Sequence, residues 1–235
     1  MPTVLITGAN RGIGFQHARQ YAEQGWRVLA CARNPASCTD LQALKAARPD
    51  QVHLHPLDVT DHSAIDALAS ALSGEPIDVL LNNAGTFGPK GAPEGMAYQS
   101  LEHMDYDIWR TILEVNLLAP FKIAVAFHGH LASSRMKLLV MMSSGLASIS
   151  ESTGQSYAYR SSKAGLNMLA KTMAAEWNDI TVIAMAPGWC RTDLGGRDAP
   201  IDPADSVRDQ QQAFLRLTSS DSGRFIDMHG NTVPW

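Results

Sequence analysis

A single doubly wound α/β domain spanning residues 1–235 is the fold this sequence predicts, and three observations predict it. Short β-rich runs alternate with longer helical patterns along the whole chain. Most of the strand-like runs are continuously apolar, as strands covered by helices on both faces must be. The first run ends in a glycine-rich segment that opens a helix. Such alternation builds a mostly parallel sheet with helices on both faces. Ligands of these sheets bind outside the carboxyl ends of the strands.

The elements follow in order. Residues 4–6 form a first strand, and a helix is predicted over 12–24. Strands at 27–32 and 52–57 come next, each followed by a helical pattern, at 40–47 and 61–73. Residues 79–81 form a fourth strand. The stretch 86–102 is rich in Gly and Pro and reads as a substrate loop. A long helix is predicted over 105–132, then a methionine-rich core strand over 137–142. The pattern over 157–178 is helical, residues 181–186 form a sixth strand, and 193–203 read as a second substrate loop. There is no internal repeat and no low-complexity linker.

Composition narrows the function. The chain is 45% hydrophobic and 18% charged, enough apolar material for a buried core. A net charge of −4 with no basic run argues against nucleic acid as a partner. No apolar stretch approaches a membrane span. The first strand begins within a few residues of Met1, which leaves no room for a signal peptide. Cys31, Cys38 and Cys190 have no metal-ligand spacing and cannot all pair, so a reducing cytoplasm is expected. The eight histidines form no ligand set, and no metal is assigned.

The first strand runs into Thr7-Gly8-Ala9-Asn10-Arg11-Gly12-Ile13-Gly14. Glycine admits backbone angles barred to other residues and lets phosphates approach the main chain. The helix that follows offers free N–H groups and a positive dipole end to a pyrophosphate. The spacing is Gly-x-x-x-Gly-x-Gly, and no Lys-Ser/Thr follows the last glycine, so this is not a Walker loop. Gly8, Asn10, Arg11, Gly12, Ile13 and Gly14 are therefore candidate cofactor contacts; the plain alternative is an ordinary strand-to-helix turn. An acid about 20 residues past such a loop binds the ribose hydroxyls of NAD. No Asp or Glu lies between Glu23 and Asp40. Arg33 ends the second strand instead, with Arg11 in the loop, a combination that favours the 2′-phosphate of NADP(H) over NAD(H). Otherwise Arg33 is a solvated loop residue.

Asp58 and Val59 end the third strand and suit the adenine edge, Asp58 reading alternatively as a helix cap or turn residue. Asn83, Ala84 and Gly85 end the fourth, small enough for the chain to lie against the cofactor, although turns of this composition are common.

Reduction of a carbonyl needs a proton on oxygen as hydride reaches carbon. Tyr159 can supply it. Its free pKa of about 10 means that tyrosinate at neutral pH costs about 4 kcal/mol, and a nearby ammonium lowers that cost. Lys163, one helical turn on, shares a face with Tyr159; Tyr157 does not. Ser144 suits a hydrogen bond to the substrate oxygen. Asn116, polar inside an apolar helix, suits a water relay from Lys163, or else satisfies buried backbone groups.

Together these residues resemble the short-chain dehydrogenase/reductase superfamily. The segments around Tyr159, around Pro187 and at Val233-Pro234-Trp235 resemble its C-factor-like and sniffer-like carbonyl reductase branch. The resemblance implies a seven-stranded Rossmann sheet with a last strand near 224–227. It also implies an Asn116-Ser144-Tyr159-Lys163 tetrad and a nicotinamide pocket built partly by Pro187, Gly188 and Thr192. The spacing from Ser144 to Tyr159 is longer than the family's usual one, which keeps Ser143 as a candidate. Cys190 stands where an aliphatic residue is usual, and no base is identifiable beside it. The expected activity is NADP(H)-dependent reduction of a small or medium ketone or aldehyde. The alternatives are an NAD-dependent alcohol dehydrogenase and a nucleotide-sensing signalling protein on the same fold. The family often pairs helices like those at 105–132 and 157–178 between subunits, so a homo-oligomer, dimer or tetramer, is expected.

Overall fold

Thr3–Thr7 form β1, and its side chains alternate between two cores: Leu5 enters one, Val4 and Ile6 the other. A strand buried on both faces must be apolar throughout, which is why this one reads as a continuous run. The computed structural model describes residues 1–92 and 94–235; Pro93, inside the 86–102 loop, lies outside the described residues.

The remaining strands are β2 (Arg27–Ala32), β3 (Val52–Pro56), β4 (Val79–Asn82), β5 (Leu138–Met142), β6 (Thr181–Ala186) and β7 (Arg224–Asp227). They form one seven-stranded sheet in the order β3-β2-β1-β4-β5-β6-β7. Every neighbouring pair is parallel. The chain reverses its direction across the sheet between β1 and β4, so the carboxyl ends of these two strands mark the switch point where a ligand crevice opens.

The helices are α1 (Gly12–Glu23), α2 (Thr39–Ala47), α3 (His62–Ala71), α4 (Tyr106–Leu113), α5 (Ala119–Ala126), α6 (His128–Ala132), α7 (Tyr157–Glu176) and α8 (Pro203–Phe214). Ile65 of α3, Ile123 of α5 and Leu166 of α7 pack with Leu5, Leu80 and Leu139 on one side of the sheet. On the other side Ala18 of α1, Leu41 of α2 and Phe214 of α8 pack with Ile6, Val28 and Val140. Leu80 is fully buried, and truncating such a residue to Ala costs about 2–5 kcal/mol.

Two expectations are corrected. The helix over 105–132 is not continuous: a π-helical turn, Glu114–Leu118, separates α4 from α5, and a break at Phe127 separates α5 from α6. Pro120 and the β-branched and glycine residues of this stretch do not prevent helical periodicity in the sequence, so the breaks are invisible there. The second correction is α8, which the periodicity does not predict. Asp202 caps it by accepting from the Ala204 N–H, with Pro203 in the first turn, a local start signal. Its buried face is partly polar, however: Ser206, Gln210 and Gln211 are all buried, so no apolar stripe marks the helix.

That polar face is a network. His17 of α1 is fully buried between the rings of Tyr21 and Phe214, at centroid distances of 5.9 and 6.1 Å. Its Nε2 pairs with Gln210 and its Nδ1 with Gln211. Gln210 donates on to Ser206, and Ser206 donates to the Pro187 carbonyl at 2.6 Å. Burial depresses the imidazole pKa to about 4, the bond to Gln210 offsetting it only in part. Among the described residues no helix is long and apolar enough to cross a membrane, and no cluster of potential metal ligands forms.

Candidate active site

The glycine loop lies at the carboxyl end of β1, against the carboxyl end of β4. Gly8 has φ +66° and Gly12 φ +55°, the left-handed region that favours glycine. The contact is tight: a Cβ on Gly8 would sit 2.9 Å from the Ala84 Cα, and one on Gly14 2.3 Å from the Gly8 carbonyl oxygen. Thr7 and Asn83 stitch the two loops together. The Thr7 hydroxyl accepts from the N–H groups of Asn83 and Ala84, both at 3.0 Å, and the Asn83 amide donates to the carbonyls of Thr7 and Gly8. Asn83 thus holds the loop from below. Arg11 precedes α1 without any side-chain cap on its first-turn N–H groups. A shallow, glycine-lined turn with free helix N–H groups is a cradle that suits a diphosphate, so the residues present fit a dinucleotide.

The flanking candidates are placed as follows. Arg33 is exposed beyond β2 and makes no side-chain hydrogen bond or ion pair among the described residues. Arg11 is directed instead to Asp193, with Nη1 2.6 Å from Oδ2. One Asp58 carboxylate oxygen accepts from the N–H and hydroxyl of Thr60, a turn; Val59 packs on the core. The Thr192 methyl closes over the glycine loop, 3.2 Å from where a Gly12 Cβ would stand. Gly188, at φ +82°, lies against Ile201. The buried Pro187 offers its carbonyl to Ser206 and to the Cys190 thiol. Burial pushes that thiol up.

At the carboxyl end of β5 the two serines part. Ser143 is buried, and its hydroxyl donates to Asn167 of α7 at 2.6 Å. Ser144 lies near enough to the Tyr159 phenol to hold its pKa down against burial. Its oxygen also accepts from the Leu146 N–H, capping a short 3-10 turn. The Ser143 hydroxyl is thus committed to Asn167, while Ser144 is the serine that bears on Tyr159.

Lys163 is buried, donating to the Met142 carbonyl at 2.7 Å, with its Nζ 5.9 Å from the centre of the Tyr159 ring. Lys163 Nζ and Asn116 Oδ1 both face Gly85, 3.5 and 3.4 Å from where a Cβ would stand. Burial dominates the Tyr159 and Lys163 pKa values here. Burial pushes the phenol up to about 12, with the Ser144 hydrogen bond working against it, and burial lowers Lys163 to about 8. Both shifts favour the neutral forms, because taking either charge out of water is costly.

Asn116 sits in the π-helical turn, a feature frequent at functional sites. Its amide accepts from the Thr86 N–H at 2.8 Å and donates to the Thr86 carbonyl and to Ser162. Both of its donors are therefore engaged by protein, by the Thr86 carbonyl and Ser162. Sequence reasoning missed Thr7, Ser162 and Gln99 as organisers of the site. Thr7 had a signal, its place beside Gly8; Ser162 and Gln99 act through contacts no local pattern encodes.

Comparisons with known proteins identify the family. The short chain dehydrogenase family model matches residues 2–200. C-signal of Myxococcus xanthus is 33% identical over 172 residues, covering 72% of this chain and 99% of that protein. A putative short-chain dehydrogenase/reductase from Burkholderia multivorans, solved with bound NADP, superposes with a TM-score of 0.87 at 33% identity, over 100% of this chain and 99% of that one. The carbonyl reductase Sniffer of D. melanogaster superposes with a TM-score of 0.90 at 26% identity, over 100% of both chains.

Proposed function

Because the chain belongs to the short-chain dehydrogenase/reductase family and so to its oxidoreductases, we propose that it is an NADP(H)-dependent carbonyl reductase acting on a small or medium ketone or aldehyde. The observation that carries the proposal is the convergence of Ser144, Tyr159 and Lys163 at the carboxyl end of β5, two strands from β1 and its glycine cradle. The nicotinamide, when bound, supplies the hydride. Ser144 holds the substrate oxygen beside the Tyr159 hydroxyl. Tyr159, neutral at pH 7 with its pKa near 12, donates its proton to that oxygen as negative charge develops there. Lys163 stabilises the phenolate left behind and reaches toward Gly85, where the nicotinamide ribose would lie. Gly8, Asn10, Gly12, Ile13 and Gly14 receive the pyrophosphate, Asp58 and Val59 flank the adenine, and Ala84, Pro187, Gly188 and Thr192 border the nicotinamide. Arg33 receives the 2′-phosphate, as the NADP-bound Burkholderia protein and the lack of an acid after β2 both favour.

A second reading, a nucleotide-sensing signalling protein, is favoured by one relative's being named a signal. A sensor has no need of a buried Tyr159-Lys163 pair beside Ser144, and the pair weighs against it. The deciding experiment is NADPH absorbance followed with a panel of ketones and aldehydes. Oxidation of NADPH by at least one of them supports the reductase reading. Tight NADPH binding without turnover on any of them favours the sensor.

A further inference from the structure

We propose that Gln99 is a positioning residue that holds Tyr159 in place for proton transfer by capping α7 from the loop that carries Phe87, a proposal that rests on the reductase reading above.

The first turn of any α-helix leaves N–H groups without intrahelical partners. At α7 the usual solution is absent. The residue that precedes it, Ser156, is left-handed at φ +52° and makes no side-chain cap, and Gln155 before it is left-handed too, at φ +61°. The caps come instead from 60 residues earlier in the chain. The main-chain carbonyl of Gln99 accepts from the Tyr157 N–H at 3.3 Å, and its side-chain Oε1 accepts from the Tyr159 N–H at 2.9 Å. The other half of the amide faces the loop: Nε2 donates to the Phe87 carbonyl at 2.7 Å and to the Gly95 carbonyl at 3.4 Å.

Gln99 is fully buried, so water cannot substitute for it. The site presents one N–H and two carbonyls, and a primary amide, with one acceptor and two donors, matches them. A carboxylate lacks the donors and an aliphatic chain lacks everything. The loop is shaped around this contact: a Cβ on Gly95 would lie 2.6 Å from Phe87 Cδ1. The Phe87 and Tyr159 rings then meet at a centroid distance of 4.7 Å. One amide thus fixes the backbones of both members of the pair, so the order of the 86–102 loop sets where the Tyr159 hydroxyl points. Misplacement of a reacting group by a fraction of its bond reach is costly: about 1 Å costs on the order of a hundredfold in rate.

The test uses the full chain as Gln99→Leu and Gln99→Glu. Three quantities are read: kcat and KM with a carbonyl substrate from the panel, the Kd of NADPH by its fluorescence, and hydrogen exchange at the Tyr159 amide without substrate. Gln99→Leu is expected to deprotect the Tyr159 amide and to lower kcat by about ten- to hundredfold, with NADPH Kd and carbonyl KM little changed. Gln99→Glu, ionised or neutral, keeps an acceptor for the Tyr159 N–H. It is expected to keep that amide protected and to recover part of kcat. A Gln99→Leu protein with wild-type kcat, or with the Tyr159 amide still protected, overturns the proposal. So does loss of NADPH affinity in step with kcat in both variants, the mark of a general structural role. If Gln99→Leu does not fold, a Gln99→Glu protein with wild-type kcat or with a deprotected Tyr159 amide overturns it as well. A wild type that turns over no carbonyl sinks the reductase reading and the catalytic half of this proposal, while the exchange measurement still decides the cap.

Discussion

Arg11 of the glycine loop and Asp193 of the segment after β6 form an ion pair, Nη1 to Oδ2 at 2.6 Å, joining the two sides of the proposed cofactor crevice. Both side chains are mostly exposed, 66% and 71%, and an exposed pair contributes less than about 1 kcal/mol. In the proposed binding mode a 2′-phosphate competes with Asp193 for Arg11 and also meets Arg33, whose side chain has no partner among the described residues. Asp193→Asn should strengthen NADPH binding severalfold and leave NADH unaffected. Arg33→Asp should lower the NADPH-over-NADH ratio of kcat/KM by about one to two decades, the worth of a charge-assisted hydrogen bond. The ratios for wild type and both variants are the check. A wild type that prefers NADH, or a ratio unmoved in Arg33→Asp, sinks the cofactor assignment.

Tyr159→Phe should bind NADPH almost normally and lose about 10²–10⁴-fold in turnover, the worth of a placed proton donor. The pH dependence has a definite sign. With its pKa pushed up to about 12, Tyr159 is protonated across neutral pH, so carbonyl reduction proceeds there. Alcohol oxidation needs the phenolate, so its rate should climb as pH rises above neutral. Initial rates in the two directions across pH test this. An oxidation rate that falls on going alkaline contradicts the role given to Tyr159.

Ser144→Ala should cost more turnover than Ser143→Ala, because the Ser143 hydroxyl is committed to Asn167 and Ser144 bears on the phenol. Ser143→Ala should cost stability instead, leaving the Asn167 oxygen buried without its donor, a loss of about 1–3 kcal/mol. Steady-state kinetics and thermal melts of the two variants separate the effects. The reverse ranking of turnover moves the substrate contact to Ser143.

Stability should fall on acidification through the range between the ordinary histidine pKa of 6.5 and about 4, the folded value for His17. In that window the unfolded chain binds the proton and the folded one does not, so stability rises with pH. The full effect is about 3 kcal/mol. His17→Gln should be less stable at neutral pH yet lose less of its stability between pH 7 and 4. Urea melts at several pH values measure this, and equal slopes in both proteins exclude His17 as the cause.

Leu118, Phe121 and Val125 leave apolar side chains exposed on the stretch leading through α5, and Met168 does so on α7. At helical spacings of three and four they fall on one side of the helix. A homo-oligomer built on these helices is expected, and Phe121→Glu should dissociate it. Light scattering of wild type at working concentration checks this; a mass near 25.4 kDa counts against it.

Much of the molecule was legible before any coordinates. The strands are local apolar runs, and a strand buried on both faces has little freedom to read otherwise; β2 and β6 fall where the sequence puts them. Gly8, Gly12 and Gly14 are demanded by backbone angles and close approach, needs that residue type alone declares. Tyr159 and Lys163 share a helical face because of their spacing. What the tertiary structure decided is different in kind. That Ser143 turns to Asn167 while Ser144 caps a short turn follows from the direction in which β5 ends. The Gln99 cap, the Asn116 tie to Thr86 and the Arg11–Asp193 pair join residues 60, 30 and 182 positions apart. The breaks around Asn116 and the helix α8 arise where buried polar groups replace an apolar stripe, so no periodicity marks them. Local conformational preference is written residue by residue, whereas a buried hydrogen bond exists only once folding has brought its two partners together and excluded water from between them.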